Sequence, residues 1–344
     1  MNIIPATEGT RWHALLDHFD AVDCTFLPEY HLAYALRIKD STPLLWYFEQ
    51  GGQHLIYPFL LTPVEVAGEH TGHHDISSIY GYTGPLATTQ DAAFLTTAWQ
   101  AFDAYTKSQC VIAEFIRFSP FNENHVMAHP ACTVEENRQL AVSRLPDTEE
   151  ELLQRLGSKT RNMLRKAEKS GLAARELPLP EKLSDFRLLY DETMGRNQAP
   201  DFFWYDDEYW NELLKLEGGL RLFGTYKDDV LVAASMSVVH GRSALYHLGA
   251  SLVEFARQGA GNLSMYEMSK ALMQSGVTFI NMTGGRTTAL DDPLLLFKKS
   301  NATGLHPFYI GKRVMDNAAY REVAALWQQK TGTPPNANKI IFWR

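Results

Sequence analysis

Apolar and polar positions along this chain change period from block to block. The runs LLWYFEQ (44–50) and QHLIYPFLL (53–61) flank Gly51-Gly52, and two β-rich runs around a Gly-Gly pair predict a hairpin. An extended segment is expected from Asp75 to Leu86. Residues 91–107 place Phe94, Leu95, Ala98, Phe102 and Tyr105 at helical spacing, and 110–118 (CVIAEFIRF) reads as a buried strand. A further strand is expected over 132–143, ended by Pro146-Asp147. The second half repeats this order. Residues 220–227 and 230–239 flank Asp228-Asp229, a strand covers Ala244 to Gly249, a helix covers 260–275, and a strand runs from Val277 to Met282. Helices are also expected over 148–156, 158–171, 182–197 and 206–217. A strand near 305–314 and a helix from Asp316 toward Lys330 close the chain.

Hairpin, strand, helix, strand thus occurs twice, and 344 residues exceed what one core comfortably holds. The expectation is an α/β (α+β) chain of two domains, 1–147 and 148–344, the second including a basic linker helix. No apolar run approaches the roughly 20 residues of a membrane-spanning helix, and the N-terminus lacks the pattern of a secretory signal. Cys24, Cys110 and Cys132 show no metal-ligand spacing, and their odd number argues for reduced thiols in a cytoplasmic protein. The net charge of −8 argues against broad coating of nucleic acid but permits a local RNA contact. Zinc motif, P-loop lysine, nucleophile elbow and DNA-reading module are all missing from the sequence, so neither a metal nor DNA is expected.

Against that acidic background, residues 155–175 carry seven basic residues and a single acid, Glu168. At 100° per residue, Thr160, Met163, Leu164 and Ala167 share one face of a helix, while Arg161, Arg165 and Lys169 form a stripe on another beside Lys159 and Lys166. Gly171 is placed to end it. Arg161, Arg165 and Lys166 suit a phosphate-bearing substrate; the alternative is a solvated face. A second candidate is RQGAGN (257–262). Arg257, Gly259, Ala260, Gly261 and Asn262 open a helix, where backbone N–H groups and the helix dipole suit pyrophosphate; the alternative is a tight turn. Arg286 after Gly284-Gly285 would meet an anion, and a partly buried lysine in Phe297-Lys298-Lys299 would stabilise an oxyanion or hold a carboxylate; the alternative, which the residues alone favour, is a surface lysine pair. Tyr80 and Tyr82 alternate in an expected strand and would line a cleft or a core. Arg117 sits near a strand end, Arg196 among aromatics, and His247 is a base candidate or a structural histidine.

The segments FLPEYH (26–31), IYGYTGP (79–85), EFIRFSP (114–120), RNMLRKAEKSG (161–171), YHLGAS (246–251), GAGNLSMYE (259–267) and FKKS (297–300) together resemble the FemABX-type aminoacyl transferases and related GNAT acyltransferases. The resemblance implies two tandem GNAT-like domains, each a mixed, largely antiparallel sheet flanked by helices, with a substrate cleft at or near their junction. It implies transfer of an aminoacyl or acyl group onto a primary amine of a cell-envelope (peptidoglycan) or polysaccharide precursor, a phosphate-bearing acceptor. The co-substrate would be acetyl-CoA or another acyl-CoA, or an aminoacyl-tRNA, with no tightly bound cofactor. Lys298 matches the family's lysine that assists acyl transfer, although Ser300 and Asn301 stand where Gly and Phe are common. Residues 256–261 match the GNAT pyrophosphate loop, with Ala256 in place of its first Gln or Arg. The long helical hairpin some members use for tRNA is not evident. The rival expectation is a non-catalytic scaffold that binds a sugar nucleotide or RNA.

Overall fold

The computed structural model describes residues 2–344. In the first half, β1 (Asn2–Pro5), α1 (Gly9–Leu16) and α2 (Pro28–Ala35) lead into β2 (Thr42–Gln50), β3 (Gln53–Val66) and β4 (Glu69–Ser77). Then come β5 (Leu86–Ala87), α3 (Ala92–Ser108), β6 (Val111–Arg117) and β7 (Thr133–Arg144). The second half continues with α4 (Glu149–Arg155), α5 (Ser158–Lys169), β8 (Leu172–Leu177), α6 (Leu183–Arg196) and α7 (Asp207–Leu214). It goes on through β9 (Leu220–Lys227), β10 (Val230–His240), β11 (Ser243–Ser251), α8 (Val253–Ala256), α9 (Ala260–Gln274) and β12 (Phe279–Thr283). α10 (Pro293–Ser300), β13 (Gly304–Val314) and α11 (Asn317–Thr331) complete the order.

These elements form two compact units. One comprises the chain through Asn137 together with Phe308–Arg344, and the other comprises Arg138–Pro307. The division expected at residue 147, with everything after it in the second domain, differs from this. Strand partners are chosen through space, and local sequence carries no mark of the choice. The last stretch of the chain returns to the first unit, and β7, which follows β6 in sequence, pairs in the second.

Each unit builds the same sheet. In the first the order is β1-β2-β3-β4-β6-β13. Its pairs are antiparallel except β4 with β6, which is parallel. In the second the order is β8-β9-β10-β11-β12-β7, again with one parallel pair, β11 with β12. The hairpin turns lie where glycine and Asp residues predict them: Gly51 and Gly52 have φ of 60° and 75°, and Asp228 has φ of 52°. The extended run expected from Asp75 to Leu86 is not one strand. β4 ends at Ser77, and Gly81 (φ 144°) lies in the loop that follows.

Apolar burial holds each sheet to its helices. In the first unit Trp46 stacks on Trp99 of α3 at 6.1 Å and meets Phe102 edge-on at 5.1 Å. Val64, Ile112, Val323, Phe342 and Trp343 pack a second layer. In the second unit Met265, Met268 and Leu272 of α9 pack against Phe223, Ala244 and Ile280. Each such fully buried side chain contributes about 1.5–3 kcal/mol. The face predicted for α5 is the buried one: Thr160, Leu164 and Ala167 are inside, and Gly171 (φ 72°) follows its C-cap.

Candidate active site

β11 and β12 run parallel for three residues, Ser243↔Phe279 to Leu245↔Asn281, and then separate. β12 ends in a bulge between Asn281 and Thr283. Thr283 has φ of 65°, a left-handed conformation that costs a β-branched residue about 1–3 kcal/mol. The Asn281 side chain accepts a hydrogen bond from the Thr283 amide at 2.9 Å and holds it there. Strain of this kind persists where surroundings enforce it, and here it frames a buried cation.

That cation is Lys298, on the last turn of α10 and 7% exposed. Its Nζ donates to the Thr283 hydroxyl and, at 2.9 Å, to the Gly284 carbonyl. Burial lowers its pKa to about 7, with the Asp292 carboxylate pulling the other way. Asp292 caps α10: Oδ1 accepts from the amides of Leu294 and Leu295, and Oδ2 from the amide and hydroxyl of Thr287. Burial alone would raise the Asp292 pKa, but these hydrogen bonds hold it at about 2. A side chain at Gly285 would overlap this carboxylate, which explains the Gly-Gly pair after β12.

The α9 turn adjoins this group. Gly259, the N-cap, has φ of 87°, and a Cβ there would lie 2.7 Å from the Met163 carbonyl, so glycine lets α5 pack on the start of α9. No side chain caps α9 among the described residues, and its first N–H groups precede the intrahelical ladder. Lys166 donates to the Arg257 carbonyl at 2.7 Å, just before the turn. A Cβ on Gly261 would touch the Phe297 ring at 3.3 Å, Asn262 donates to Asn301 at 2.9 Å, and the Thr160 hydroxyl donates to the Ser300 carbonyl. The three stretches singled out in the sequence (161–171, 257–262 and 297–300) therefore meet. The Asn301 side chain and the Ser300 backbone carbonyl join them.

Several candidates occupy other roles. Arg161 donates to the carbonyls of Gln154 (3.2 Å) and Leu156 (2.9 Å), so its guanidinium caps the end of α4 rather than facing a ligand. Arg165 is exposed and reaches Asn162 at 3.2 Å. The Asn262 side chain is taken up by Asn301, while Ala260 is buried and its carbonyl accepts from Thr225. His247 hydrogen-bonds Tyr209 of α7 at 2.8 Å, and burial lowers its pKa to about 3. It is a neutral structural partner of that tyrosine, and the structure does not pair it with Lys298. Arg257 and Arg286 are exposed at the two turns, and Arg196 is exposed at the end of α6.

Tyr80, Tyr82 and Arg117 belong to the first unit. Without the expected strand, the two tyrosines diverge: Tyr80 lies 5.8 Å from the Tyr34 ring and Tyr82 packs edge-on to Phe308 at 5.2 Å. The Arg117 guanidinium lies 4.7 Å over Phe115. Tyr246, Gly249, Thr283 and Asp292 were not candidates from sequence. The Gly-Gly pair and the Asp-Pro start of α10 were local signals for the last of these.

Residues 158–289 match the family model of the acetyltransferase (GNAT) domain. The chain has a FemABX-like GNAT fold. A crystal structure of FemX is similar over 94% of this chain and 100% of that one, with a TM-score of 0.72 and 14% identity. The C-terminal domain of a putative lysylphosphatidylglycerol synthetase from Agrobacterium fabrum is similar over 95% and 96%, with a TM-score of 0.57 and 14% identity. L-PGS from Bacillus licheniformis is similar over 97% and 99%, with a TM-score of 0.57 and 12% identity. A curated putative glucosylceramidase 4 of Caenorhabditis elegans is 25% identical over 87 residues, which are 25% of this chain and 16% of that protein. Among the described residues no helix is long and apolar enough to cross a membrane.

Proposed function

We propose that the chain is an N-acyltransferase that moves an acyl or aminoacyl group from an activated thioester or ester onto a primary amine. The observation that carries this reading is Lys298. It is a buried cation where β11 and β12 part, with two N–H bonds committed to Thr283 and Gly284 and a third available to a reacting carbonyl. The open start of α9 adjoins it and suits the phosphates of the donor, with Lys166 beside the turn.

In this reading the neutral amine attacks the donor carbonyl. A tetrahedral oxyanion forms, and Lys298 donates a hydrogen bond to it in a site shielded from water. The intermediate collapses with loss of thiolate or alkoxide, and the extra proton of the amine nitrogen goes to that leaving group. The chain supplies no nucleophile; positioning and the preorganised donor carry the rate. The GNAT model match supports an acyl-CoA donor. The name of one structural neighbour, the C-terminal domain of a putative lysylphosphatidylglycerol synthetase, supports keeping aminoacyl donors in the comparison. The acceptor in this reading is a phosphate-bearing precursor of envelope or polysaccharide, met by the exposed cations of α5.

The test compares wild type with Lys298→Ala, using acetyl-CoA and charged tRNA as donors and a panel of amine acceptors followed by mass spectrometry. Removal of an oxyanion donor is expected to slow transfer by about 100-fold or more. Equal rates in the two proteins remove Lys298 from this role. Loss of transfer after RNase treatment selects the tRNA donor.

A further inference from the structure

The Lys298 ammonium is held by more than the two oxygens that accept its hydrogen bonds. Its Nζ stands 5.6 Å from the centre of the Tyr246 ring, within the range where an aromatic face attracts a cation. The ring is itself fixed. β11 carries an extra residue at His247, since Met236 pairs with Leu248 but Ser237 pairs with Tyr246. That bulge brings positions 246 and 249 together: a side chain on Gly249 would overlap the Tyr246 hydroxyl.

The hydroxyl hydrogen-bonds Ser235. Ser235 lies 2.9 Å from the Ser264 hydroxyl, which lies 3.0 Å from the Phe223 carbonyl. The Ser235–Ser264 pair thus fixes the tyrosine oxygen, and both serines are buried.

We propose that Tyr246 is a positioning residue, clamped over Gly249 and by the Ser235–Ser264 pair so that its ring face fixes the place and charge of the Lys298 ammonium. A ring attracts the ammonium without taking up an N–H bond. A carboxylate in its place would take the third N–H that the acyl donor needs. Other charged or titratable groups near this corner include His247 next to Tyr246, Asp292 before α10, Lys299 beside Lys298, and Arg138 of β7. The last donates to the carbonyls of Gly285 and Thr287 at 3.4 Å. The use of this arrangement rests on the acyl-transfer reading, but its measurement does not.

The experiment titrates the Lys298 side-chain signal by NMR in the full chain labelled with carbon-13 and nitrogen-15 lysine, the signal being assigned by its loss in Lys298→Arg. Tyr246→Phe keeps the ring and is expected to titrate like wild type. Tyr246→Leu and Gly249→Ala remove or displace the ring, and each is expected to lower the Lys298 midpoint by about one pH unit. The double variant Tyr246→Phe/Gly249→Ala lacks the oxygen that collides with the new methyl group but keeps the ring carbon 2.9 Å from it, so its midpoint is expected to return part of the way toward wild type. The proposal is overturned if Tyr246→Leu and Gly249→Ala keep the wild-type midpoint, or if the double variant stays with Gly249→Ala. Should Tyr246→Leu fail to fold by thermal melting, Gly249→Ala and the double variant decide alone. If these shifts hold while wild type transfers no acyl group from any donor, the functional reading falls and the role of Tyr246 stands.

Discussion

The two units share a strand order, yet the same corner of the fold is treated in opposite ways. In the second unit β11 and β12 part after Leu245↔Asn281, and the gap receives Lys298. In the first unit the corresponding strands, β4 and β6, are stitched past their last pair. The Ser78 amide donates to the Phe115 carbonyl, the Ser78 hydroxyl accepts from Arg117, and Thr83 continues the parallel pairing with a 2.8 Å bond to the Arg117 carbonyl. Asn124, fully buried, accepts from the Ser119 amide and donates to the carbonyls of Thr83 and Pro85. Asp23 accepts from Ser119 at 2.5 Å and from Thr25. The helix starts differ in the same sense: Asp91 caps α3 by accepting from the Phe94 amide, whereas α9 begins on a glycine. One scaffold thus yields a corner closed by hydrogen bonds and a corner that holds a buried lysine, and the difference lies in which side chains fill the gap.

Proton linkage should separate the units most strongly. Glu114 in the first unit is 1% exposed, and burial raises its pKa from 4.5 to about 7, opposed by the Tyr57 hydrogen bond and Arg313. Between these values the unfolded chain has lost the proton and the folded chain keeps it, so stability falls as pH rises from about 4.5 to 7, by something on the order of 3 kcal/mol. Lys298 has the opposite slope. Its folded pKa is near 7 against 10.5, the unfolded chain holds the extra proton, and stability rises with pH across that window. Denaturant unfolding over a pH series is expected to lose the first slope in Glu114→Gln and the second in Lys298→Met. Unchanged slopes in both variants would break the contrast.

Sealing can be tested at Asn124. Asn124→Ala removes the side chain that donates to the Pro85 carbonyl and that supplements the 3.0 Å bond between the Ser119 amide and the Thr83 carbonyl, and it should destabilise the protein by about 2 kcal/mol. The Lys298 titration should stay at its wild-type midpoint. A variant as stable as wild type would mean that this corner is closed by other means. The smallest effect is at the helix start: Asp91→Ala should cost about 1 kcal/mol in chemical denaturation, the usual worth of an N-cap carboxylate. No loss there would show that α3 does not depend on the cap.

Much of the Lys298 corner was legible because its parts are local. Helical spacing gave the buried face of α5 and glycines gave the start of α9, whereas Lys298 stood out through the family resemblance and not through its own lysine pair. Other parts were hidden because they depend on contacts across the unit. Strand alternation joins Tyr246 with Leu248, and a bulge at His247 joins it instead with Gly249. Arg161 looked like a phosphate ligand until the end of α4 was seen to need its guanidinium. Tyr80 and Tyr82 alternate about Gly81 as a strand pair would, whereas the φ of 144° at Gly81 turns the chain.

The return of β13 to the first unit has a consequence for synthesis on the ribosome. β6 acquires its neighbour through Ile310↔Arg117 and Gly311↔Ile116, so its open edge waits while about 190 further residues are translated. The later half can close its own sheet earlier, because β7 has already emerged when β12 arrives. The order of sheet closure therefore runs against the order of translation: the earlier-made half gains its last strand last.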